Sequence, residues 1–238
     1  MWRVTAAAMV AAAIATAAHA APAVAAGRPP SAKTTQELVV LLKPHGVRTT
    51  PGRPAPHGRI IPAWAPITGG QTVLPVRAHA IGADGARWLR VRLPGRPNSS
   101  TGWIAQAGTR RSATSWRIAV NTATRRARVY RRGILVRRFA VVVGKPSTPT
   151  PHGLFFVEES IAMPVGSAGA PYALATSARS NVLQEFEGGP GQIALHGVMN
   201  LGGVPGTAVS HGCMRLADAD IRWLAARVSP GVPVSITS

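Results

Sequence analysis

Short apolar runs, each ended after a few residues by glycine or proline, constrain the fold of this chain more than any other feature. The 238 residues contain 25 glycines and 21 prolines. Short runs bounded by such turn residues are typical of strands. Between residues 58 and 108 the runs lie at 60–64, 72–76, 87–92 and 102–104. The pattern predicts a small all-β barrel or meander, and within residues 88–93 it predicts apolar side chains on one face and arginines on the other.

The sequence from Trp116 to the C-terminus predicts a second β-rich region with one helix. A strand at 116–121 is followed by a hairpin around a turn at 131–133. The β-branched run 139–143 predicts a strand that is buried on both faces and ends at Gly144. Further predicted elements are strands at 153–157, 192–195 and 232–236, and a helix capped by Asp218 that runs to about Val228. The predicted fold class is therefore mainly β with a C-terminal helix.

Residues 160–191 have no periodic pattern and are rich in glycine, alanine and serine. They predict a long loop, and long loops in compact domains tend to act as lids or to bind substrate. Four of the eight acidic residues lie around this segment, namely Glu158, Glu159, Glu185 and Glu187. Two interpretations stay open here. The carboxylates attract a cationic amine substrate, or they solubilise a loop in a basic protein.

The first 57 residues predict an export signal and a linker. Arg3, the apolar stretch 6–18 and the small-x-small sequence at 18–20 are typical of a secretory signal peptide, which we place at 1–26. The apolar stretch is shorter than a membrane-spanning helix of about 20 residues. An uncleaved signal that gives transient membrane association is the alternative. Prolines predict an extended linker over 27–57, in which residues 38–42 form either a strand or a helical turn. We expect an exported, extracytoplasmic protein.

The charge of the chain predicts an anionic partner. Lys and Arg number 27 against 8 Asp and Glu, a formal net charge of +19. Such an excess attracts nucleic acid, an acidic wall polymer or an anionic membrane face; the export signal argues against nucleic acid. Seven arginines lie between residues 125 and 138. They predict a solvated edge that prevents strand aggregation, or else a docking face for an acidic polymer.

The chain contains one cysteine, Cys213, within Ser210-His211-Gly212-Cys213-Met214-Arg215. An exported protein normally pairs its cysteines or has none, so a single one is an intermolecular link or a working thiol. Gly212 permits a sharp turn that leaves amide N–H groups free to hold an anionic oxygen. Arg215 raises the thiolate fraction or holds a substrate carboxylate. We favour a nucleophilic thiol.

Two histidines are candidates for the base that removes the thiol proton. His196 ends a predicted strand, a rigid element from which an imidazole can be aimed, and we prefer it. His211 is assigned to shaping the pocket. No aspartate is well placed in the sequence to orient His196, so a backbone carbonyl is expected in that role. A zinc site is the alternative, but a His-x-Cys pair with one distant histidine lacks the usual ligand spacing, and we expect no metal and no cofactor.

At this point two stretches carry a family resemblance. His196-Gly197, the sequence around Cys213, Gly144-Lys145-Pro146 and residues 148–155 together resemble the L,D-transpeptidase catalytic domain of the YkuD type, over residues 115–238. Residues 88–91, 93–98 and 102–104 resemble bacterial SH3-like domains, which we place at 58–108. The resemblance implies an SH3-like small β-barrel followed by an L,D-transpeptidase β-sandwich catalytic domain with a C-terminal helix.

The resemblance also implies roles for the residues around the cysteine. Cys213 matches the family nucleophile and His196 its general base. Ser210, His211 and Gly212 match the motif that builds the pocket and its oxyanion hole, and Arg215 matches the position that contacts a substrate carboxylate.

The resemblance further implies a cell-wall enzyme that forms 3→3 cross-links between peptidoglycan stem peptides through a cysteine thioester. Water as acceptor would make the same site an L,D-carboxypeptidase, and a protein lysine would make it an anchoring transferase. A non-catalytic wall-binding protein is the alternative from another class. The expected partners are stem peptides and not nucleic acid, and the expected state is a monomer.

Overall fold

The computed structural model describes residues 1–2, 34–52 and 58–238. The predicted signal peptide, apart from its first two residues, lies outside the described residues, as do residues 27–33 and 53–57 of the predicted linker. None of the described helices has the length and apolarity needed to cross a membrane.

The first half of the described chain forms a five-stranded antiparallel sheet, which we call the N-terminal sheet. Its strand order is β6-β5-β4-β1-β7, and a separate two-stranded pair joins β2 and β3. The strands are β1 Gln36–Leu41, β2 His45–Gly46, β3 Ile60–Ile61, β4 Val73–Ile81, β5 Arg87–Arg92, β6 Thr101–Ala105 and β7 Thr109–Thr114. The predicted strand regions between residues 58 and 108 are confirmed, and their assignment to an SH3-like domain stays a prediction.

The prediction of a linker over 27–57 is wrong for residues 36–46. Strand β1 lies between β4 and β7, and residues 38–41 are all buried. A strand that pairs on both sides and is covered on both faces has a continuous apolar sequence rather than an alternating one. This explains why the pattern at residues 38–42 did not distinguish a strand from a helical turn.

The predicted division of β5 into an apolar and an arginine face holds only in part. Leu89 and Val91 lie in the core of the N-terminal sheet, and Arg90 on the other face is exposed. Arg92 shares the face of Arg90 but is only 7% exposed. Its guanidinium donates hydrogen bonds to the carbonyls of Ser99 (3.1 Å) and Leu154 (2.9 Å). That end of the face is covered by the second half of the chain.

The second half of the described chain forms a mixed eight-stranded sheet, the C-terminal sheet. Its order is β10-β9-β8-β17-β12-β13-β14-β16, and a parallel pair joins β11 and β15. The elements are β8 Trp116–Asn121, β9 Arg126–Arg131, β10 Ile134–Ala140, β11 Val143–Gly144, β12 Gly153–Ala162, β13 Tyr172–Arg179, β14 Gln192–His196, β15 Ala208–Ser210, β16 Met214–Arg215, α1 Asp218–Ala225 and β17 Pro233–Thr237. The predicted β9–β10 hairpin is confirmed, with Arg132 and Gly133 both at positive φ as a two-residue hairpin turn requires.

Strand β12 joins the two halves of the C-terminal sheet. Residues 153–156 pair with β17, whereas the rest of the strand pairs with β13 through a register shift between Val157 and Glu159. Such an irregularity bends a strand and increases its twist. Buried side chains from both halves form one core, including Ile118 and Val129 on one side and Leu174 and Leu195 on the other.

Three predicted elements of this half differ in the structure. The run 139–143 is buried but is not one strand: β10 ends at Ala140 and Val143 starts β11, because the chain crosses between two sheets there. The predicted loop 160–191 contains β13. Residues 174–179 of β13 are all buried and mostly small, so they show neither alternation nor a large apolar run.

The predicted cap of α1 is also wrong. The residue at the N-cap is Ala217, and the helix ends at Ala225 rather than near Val228. Asp218 is already helical, and an N-cap residue must have non-helical backbone angles for its side chain to reach the first free amides. Ile221 and Leu224 are buried as the helical pattern predicted.

The two sheets share a packed and hydrogen-bonded junction. Phe155 and Phe156 are neighbours on β12 and therefore point to opposite faces. Phe155 enters the core of the C-terminal sheet, and Phe156 enters the core of the N-terminal sheet. Glu159, which is 1% exposed, accepts hydrogen bonds from the Thr68 amide (2.7 Å) and hydroxyl (2.8 Å) and from the Ile67 amide.

We predict that Phe156→Ala lowers the free energy of unfolding by about 3–5 kcal/mol, because it removes a buried aromatic ring and leaves a cavity. Leu154→Ala is the matched control: Leu154 lies on the same strand but is 50% exposed, and its loss should cost less than about 1 kcal/mol. Urea denaturation followed by tryptophan fluorescence measures both values. Because Phe156 links the two cores, both sheets should unfold in one transition; two separate transitions would contradict this.

Candidate active site

A parallel pairing of β14 with β16 brings the predicted site residues together. Leu195 is opposite Met214, and His196 is opposite Arg215. Leu195 and Met214 are fully buried in the core of the C-terminal sheet. Since side chains alternate along a strand, His196 and Arg215 point to the other face. Cys213 directly precedes β16. Thus His196, the last residue of β14, and Cys213, the residue before β16, are 17 positions apart in sequence but belong to neighbouring strand segments.

The imidazole of His196 is held in one tautomer. Its Nδ1 lies 2.8 Å from the carbonyl oxygen of Gly197. A carbonyl only accepts, so Nδ1 carries the proton and Nε2 keeps its lone pair. Burial lowers the pKa of His196; the Gly197 hydrogen bond opposes this, and the charge of Arg215 lowers the pKa further. The ring is therefore a neutral acceptor at neutral pH, oriented by a backbone carbonyl rather than by an aspartate.

Glycines allow the backbone to pass close to this ring. A Cβ on Gly169 would lie 2.8 Å from Nδ1 of His196, and a Cβ on Gly197 would overlap the carbonyl oxygen of Ala170. The Gly197 amide donates to the Gly169 carbonyl at 2.8 Å. The segment before β13 therefore covers one side of the imidazole, and no larger residue fits at either glycine.

The thiol of Cys213 is protonated in this environment. Its Sγ points to the backbone of β14, 3.9 Å from the carbonyl oxygen of Gln192. Burial raises the pKa of Cys213, a hydrogen bond with the Ala194 backbone and the charge of Arg215 lower it, and Glu187 raises it. Because the pKa of the thiol is raised and that of His196 is lowered, the resting pair is a neutral thiol and a neutral imidazole.

The turn before Cys213 is fixed by the Ser210 hydroxyl. This hydroxyl donates to the Cys213 carbonyl (2.7 Å) and accepts from the Gly212 amide (3.1 Å). Gly212 has φ +122°, a conformation that side chains rarely permit. The Gly212 amide is therefore engaged and not free to hold an oxyanion, contrary to the prediction from sequence. In the part of the chain that the structure describes, the Cys213 amide donates no hydrogen bond.

Two buried threonines support the same turn. The Thr150 hydroxyl donates to the Gly212 carbonyl (2.8 Å) and accepts from the Gly144 amide (2.9 Å), and the Thr148 hydroxyl donates to the Ser210 carbonyl (3.2 Å). Sequence reasoning quoted these threonines only as part of a resemblance and gave them no role. Their signal was their position between prolines, where few backbone amides can supply donors.

Arg215 is 8% exposed and lies beside both reactive groups. One nitrogen of its guanidinium, Nη1, donates to the Gly202 carbonyl. Its Nε is buried and has no acceptor among the described residues. A buried donor without a partner is costly, so this group is available to an anionic or carbonyl oxygen of a ligand.

His211 does not share the environment of His196. It is exposed, and its ring stacks on Phe186 with centroids 5.4 Å apart and an interplanar angle of 31°. Phe186 lies in a hydrogen-bonded turn with Gly189. The contact places the 181–190 loop beside the cysteine turn, and the assignment of His211 to pocket shape stays a prediction.

The acidic residues around this loop divide into two pairs. Glu159 serves the junction between the sheets, and Glu158 pairs with Arg179 at 3.2 Å. Glu185 and Glu187 are exposed and make no ion pair or hydrogen bond with any described residue. Of the two interpretations left open by the sequence, the attraction of a cation is therefore excluded for the first pair and stays a prediction for the second.

The N-terminal sheet holds the 181–190 loop in place. The guanidinium of Arg96 donates to the carbonyls of Ser180 (2.8 Å), Leu183 (3.0 Å) and Pro190 (3.0 Å), at both ends of the loop. Asn98 makes two hydrogen bonds with the backbone of Arg179. No sequence pattern predicted these contacts, because they join residues more than 80 positions apart.

No group of three or more His, Cys, Asp or Glu side chains suited to a metal ion occurs within the described ranges. His196, His211 and Cys213 therefore do not form a three-ligand cluster.

The chain belongs to the L,D-transpeptidase catalytic domain family, whose YkuD model matches residues 115–236. The YkuD protein of Bacillus licheniformis is 36% identical over 122 residues, which is 51% of this chain and 66% of that protein. A solved Enterococcus faecium L,D-transpeptidase, a C442S mutant, is 20% identical, with 51% of this chain and 49% of that chain covered at a TM-score of 0.40. L,D-transpeptidase 3 of Mycobacterium tuberculosis is 15% identical, with 70% of this chain and 91% of that chain covered at a TM-score of 0.44. The chain thus spans 66% of the Bacillus relative and about half of the Enterococcus structure.

We predict that Glu187→Gln accelerates alkylation of Cys213 by iodoacetamide near neutral pH. The negative charge of Glu187 raises the pKa of the thiol, so its removal lowers that pKa and increases the thiolate fraction, the nucleophilic form. Glu185→Gln, two residues away, is the matched control and should change the rate less. Rates measured from pH 6 to 10 by mass spectrometry test this; a slower reaction in Glu187→Gln would contradict it.

We also predict that Arg96→Ala releases the 181–190 loop. Hydrogen bonds from a charged donor contribute about 1.5–3 kcal/mol each, so amide hydrogen exchange within residues 182–189 should become at least about tenfold faster. Arg90→Ala is the control, since Arg90 is exposed and its Nε donates only to the Thr101 hydroxyl. Unchanged exchange in Arg96→Ala would show that the loop is held by other contacts.

Proposed function

We propose that this protein is an exported peptidoglycan L,D-transpeptidase that joins stem peptides by 3→3 cross-links through a thioester on Cys213. The observation that carries the proposal is the relation of His196 to Cys213. A neutral imidazole with Nδ1 bound to a backbone carbonyl keeps Nε2 free to accept a proton, and His196 is opposite Arg215 on β16, the strand that the chain's single cysteine directly precedes. A base beside a nucleophile, itself oriented by a third group, is the arrangement of nucleophilic catalysis.

In the first step the thiol attacks the carbonyl carbon of the third residue of a donor tetrapeptide stem. As the S–C bond forms, the Sγ proton moves to Nε2 of His196. The resulting imidazolium then gives that proton to the nitrogen of the departing D-alanine as the C–N bond breaks. The products are a thioester on Cys213, free D-alanine and neutral His196. Proton transfer during attack suits a resting pair that is neutral.

The negative charge that develops on the carbonyl oxygen needs a donor. We assign the Cys213 amide to this role, because the Gly212 amide is already bound to Ser210. A preorganised amide donor of this kind contributes about 2.7–4 kcal/mol of transition-state stabilisation in other enzymes. Arg215, with its unpartnered Nε, binds a carboxylate of the donor stem in this proposal.

In the second step an acceptor amine attacks the thioester. His196 accepts a proton from the attacking nitrogen and returns it to sulfur as the S–C bond breaks. With a second stem peptide as acceptor the product is a 3→3 cross-link. Water would give a tripeptide stem, and a protein lysine would give a protein linked to peptidoglycan.

The export signal and the charge support an extracytoplasmic site of action. Peptidoglycan lies outside the cytoplasm, and the sequence at 1–26 is typical of a secretory signal. A single thiol in an oxidising compartment avoids pairing within its own chain. We therefore propose the cell wall as the location.

We predict that Cys213→Ala abolishes formation of dimers from a disaccharide tetrapeptide and of any acyl-enzyme. The substitution removes the attacking atom, so the rate should fall by at least about a thousandfold, as when a nucleophile is deleted in other acyl-transfer enzymes. Intact-protein and product mass spectrometry measure both species. Met199→Ala, which also replaces a side chain by alanine but in the nearby loop, is the control. Its activity should stay within about tenfold of that of the unaltered protein.

The product that the unaltered protein forms identifies which reaction it catalyses. A dimer with release of D-alanine supports cross-linking, and a tripeptide alone supports hydrolysis. Dimer formation by Cys213→Ala would rule out the thioester, and sacculus binding without turnover by either protein would favour a non-catalytic wall-binding role.

A further inference from the structure

One solvent face of the C-terminal sheet carries a cluster of arginines around a tyrosine. Arg117 on β8 is opposite Tyr130 on β9, and Arg128 on β9 is opposite Arg138 on β10. Residues directly opposite each other in a sheet share a face, and Arg126 lies two residues from Arg128 on that same face. We call Arg117, Arg126, Arg128, Arg138 and Tyr130 the arginine face. Its four arginines are exposed, while the alternate residues of these strands fill the core.

These arginines have no acidic partner. The sequence contains no aspartate or glutamate between Asp84 and Glu158. Among the described residues, none of the four arginines forms an ion pair. The neighbouring Arg137 does pair with Asp220, but Arg137 is opposite the buried Val129 and so points to the other face. The guanidinium of Arg117 lies over the ring of Tyr130, 4.3 Å from its centroid.

Protection of a sheet edge does not explain this cluster. Charged residues on an edge strand prevent aggregation, and β10 is such a strand. Arg117, Arg126 and Arg128, however, lie on β8 and β9, which pair on both sides. Like charges directly opposite each other destabilise a sheet, and Arg128 faces Arg138 with no acid to offset the repulsion. An anion lying over the face would remove that cost.

We propose that the arginine face binds a linear phosphodiester polymer. Guanidinium groups match phosphate geometry by paired hydrogen bonds, which lysine does not do. Alternate residues on β9 place Arg126, Arg128 and the Arg117–Tyr130 pair in a row with steps of about 6.8 Å, which suits a chain of regularly spaced charges. The alternative, an anionic bilayer, fits less well because the apolar residues paired on this face, Ala119, Leu135 and Ala140, are half-buried. The exposed Ile134 is paired with Arg131 on the other face, which leaves Val136, in the irregularity between Leu135 and Arg137, as a single exposed apolar side chain nearby.

The binding role is separate from the proposed acyl transfer. The face lies on β8–β10 at one end of the C-terminal sheet, whereas Cys213 precedes β16 at the other end of the strand order. A polymer bound there would retain the protein at a polyanion-rich surface without occupying the thiol site.

The test compares two triple variants of the full chain that lose the same charge. Arg126→Gln/Arg128→Gln/Arg138→Gln removes three of the four arginines of the arginine face, and Arg77→Gln/Arg87→Gln/Arg110→Gln removes three exposed arginines of the N-terminal sheet. The probe is a synthetic poly(glycerol phosphate) chain with a fluorescent end label. Its Kd is measured by anisotropy at several salt concentrations. Poly-glutamate of equal charge and vesicles of phosphatidylglycerol are measured beside it.

The arginine-face triple should weaken binding of the polymer at least about tenfold and reduce the slope of log Kd against log salt by about two to three, because each lost phosphate contact removes about one unit. The N-terminal triple should change Kd less than about threefold. Equal losses in both triples would assign binding to bulk charge and overturn the proposal, as would the absence of binding by the unaltered protein.

Two further results separate the alternatives. Equal affinity for poly-glutamate would overturn selection for phosphate, and tighter binding to the vesicles, lost in the same triple, would assign the face to a bilayer. The variant Arg126→Lys/Arg128→Lys/Arg138→Lys keeps the charge but removes the paired hydrogen bonds of the guanidinium groups. Its Kd for the polymer should therefore lie between that of the unaltered protein and that of the Gln triple. We expect the Gln triple to cross-link or hydrolyse soluble muropeptides as the unaltered protein does, because none of these residues touches the thiol site. The result of the polymer-binding test is therefore independent of the proposed function.

Discussion

The pairing of β14 with β16 is the contact on which the site depends. It consists of only two opposed residue pairs, yet it places His196 opposite Arg215 and next to the strand that Cys213 directly precedes. A slip of one residue would move every side chain of β16 to the other face, so Met214 would leave the core and Arg215 would enter it. Burial of Met214 and Leu195 opposes such a slip, and so does a second pairing, in which Arg215 and Val142 exchange backbone hydrogen bonds. The register is thus fixed by the core beneath the site.

The same burial determines the charge state of the site. In a protein with a formal charge of +19, a thiolate would be the expected state of a cysteine beside an arginine. Desolvation outweighs that attraction and raises the pKa of Cys213, while it lowers the pKa of His196. Both groups are therefore neutral at neutral pH. A neutral thiol is less exposed to oxidation than a thiolate, which is consistent with a single unpaired cysteine and with the export that we propose.

The sequence predicted the elements that carry their own pattern and missed those whose pattern depends on distant contacts. The hairpin at β9 and β10, the strand that delivers His196 and the apolar face of α1 have local signals and were confirmed. Strand β13 was missed because residues 174–179 are mostly small and are buried on both faces. Strand β1 was ambiguous because it is covered on both faces. The loss of the Gly212 amide to Ser210 could not be predicted, since it requires the three-dimensional turn. The role of Glu159 at the junction was hidden for the same reason.

The junction between the sheets changes how the N-terminal sheet is to be understood. A tethered binding domain would contact the C-terminal sheet through a small polar interface, whereas here Phe156 of one sheet lies in the core of the other. Arg92 and Asn98 form hydrogen bonds with backbone groups of β12 and β13, and Arg96 donates hydrogen bonds to the loop that contains Phe186 and Glu187. Phe186 stacks on His211, and the charge of Glu187 raises the pKa of Cys213. Contacts of the N-terminal sheet with this one loop therefore affect the surroundings of the thiol. The N-terminal sheet is therefore part of the structure that shapes the site.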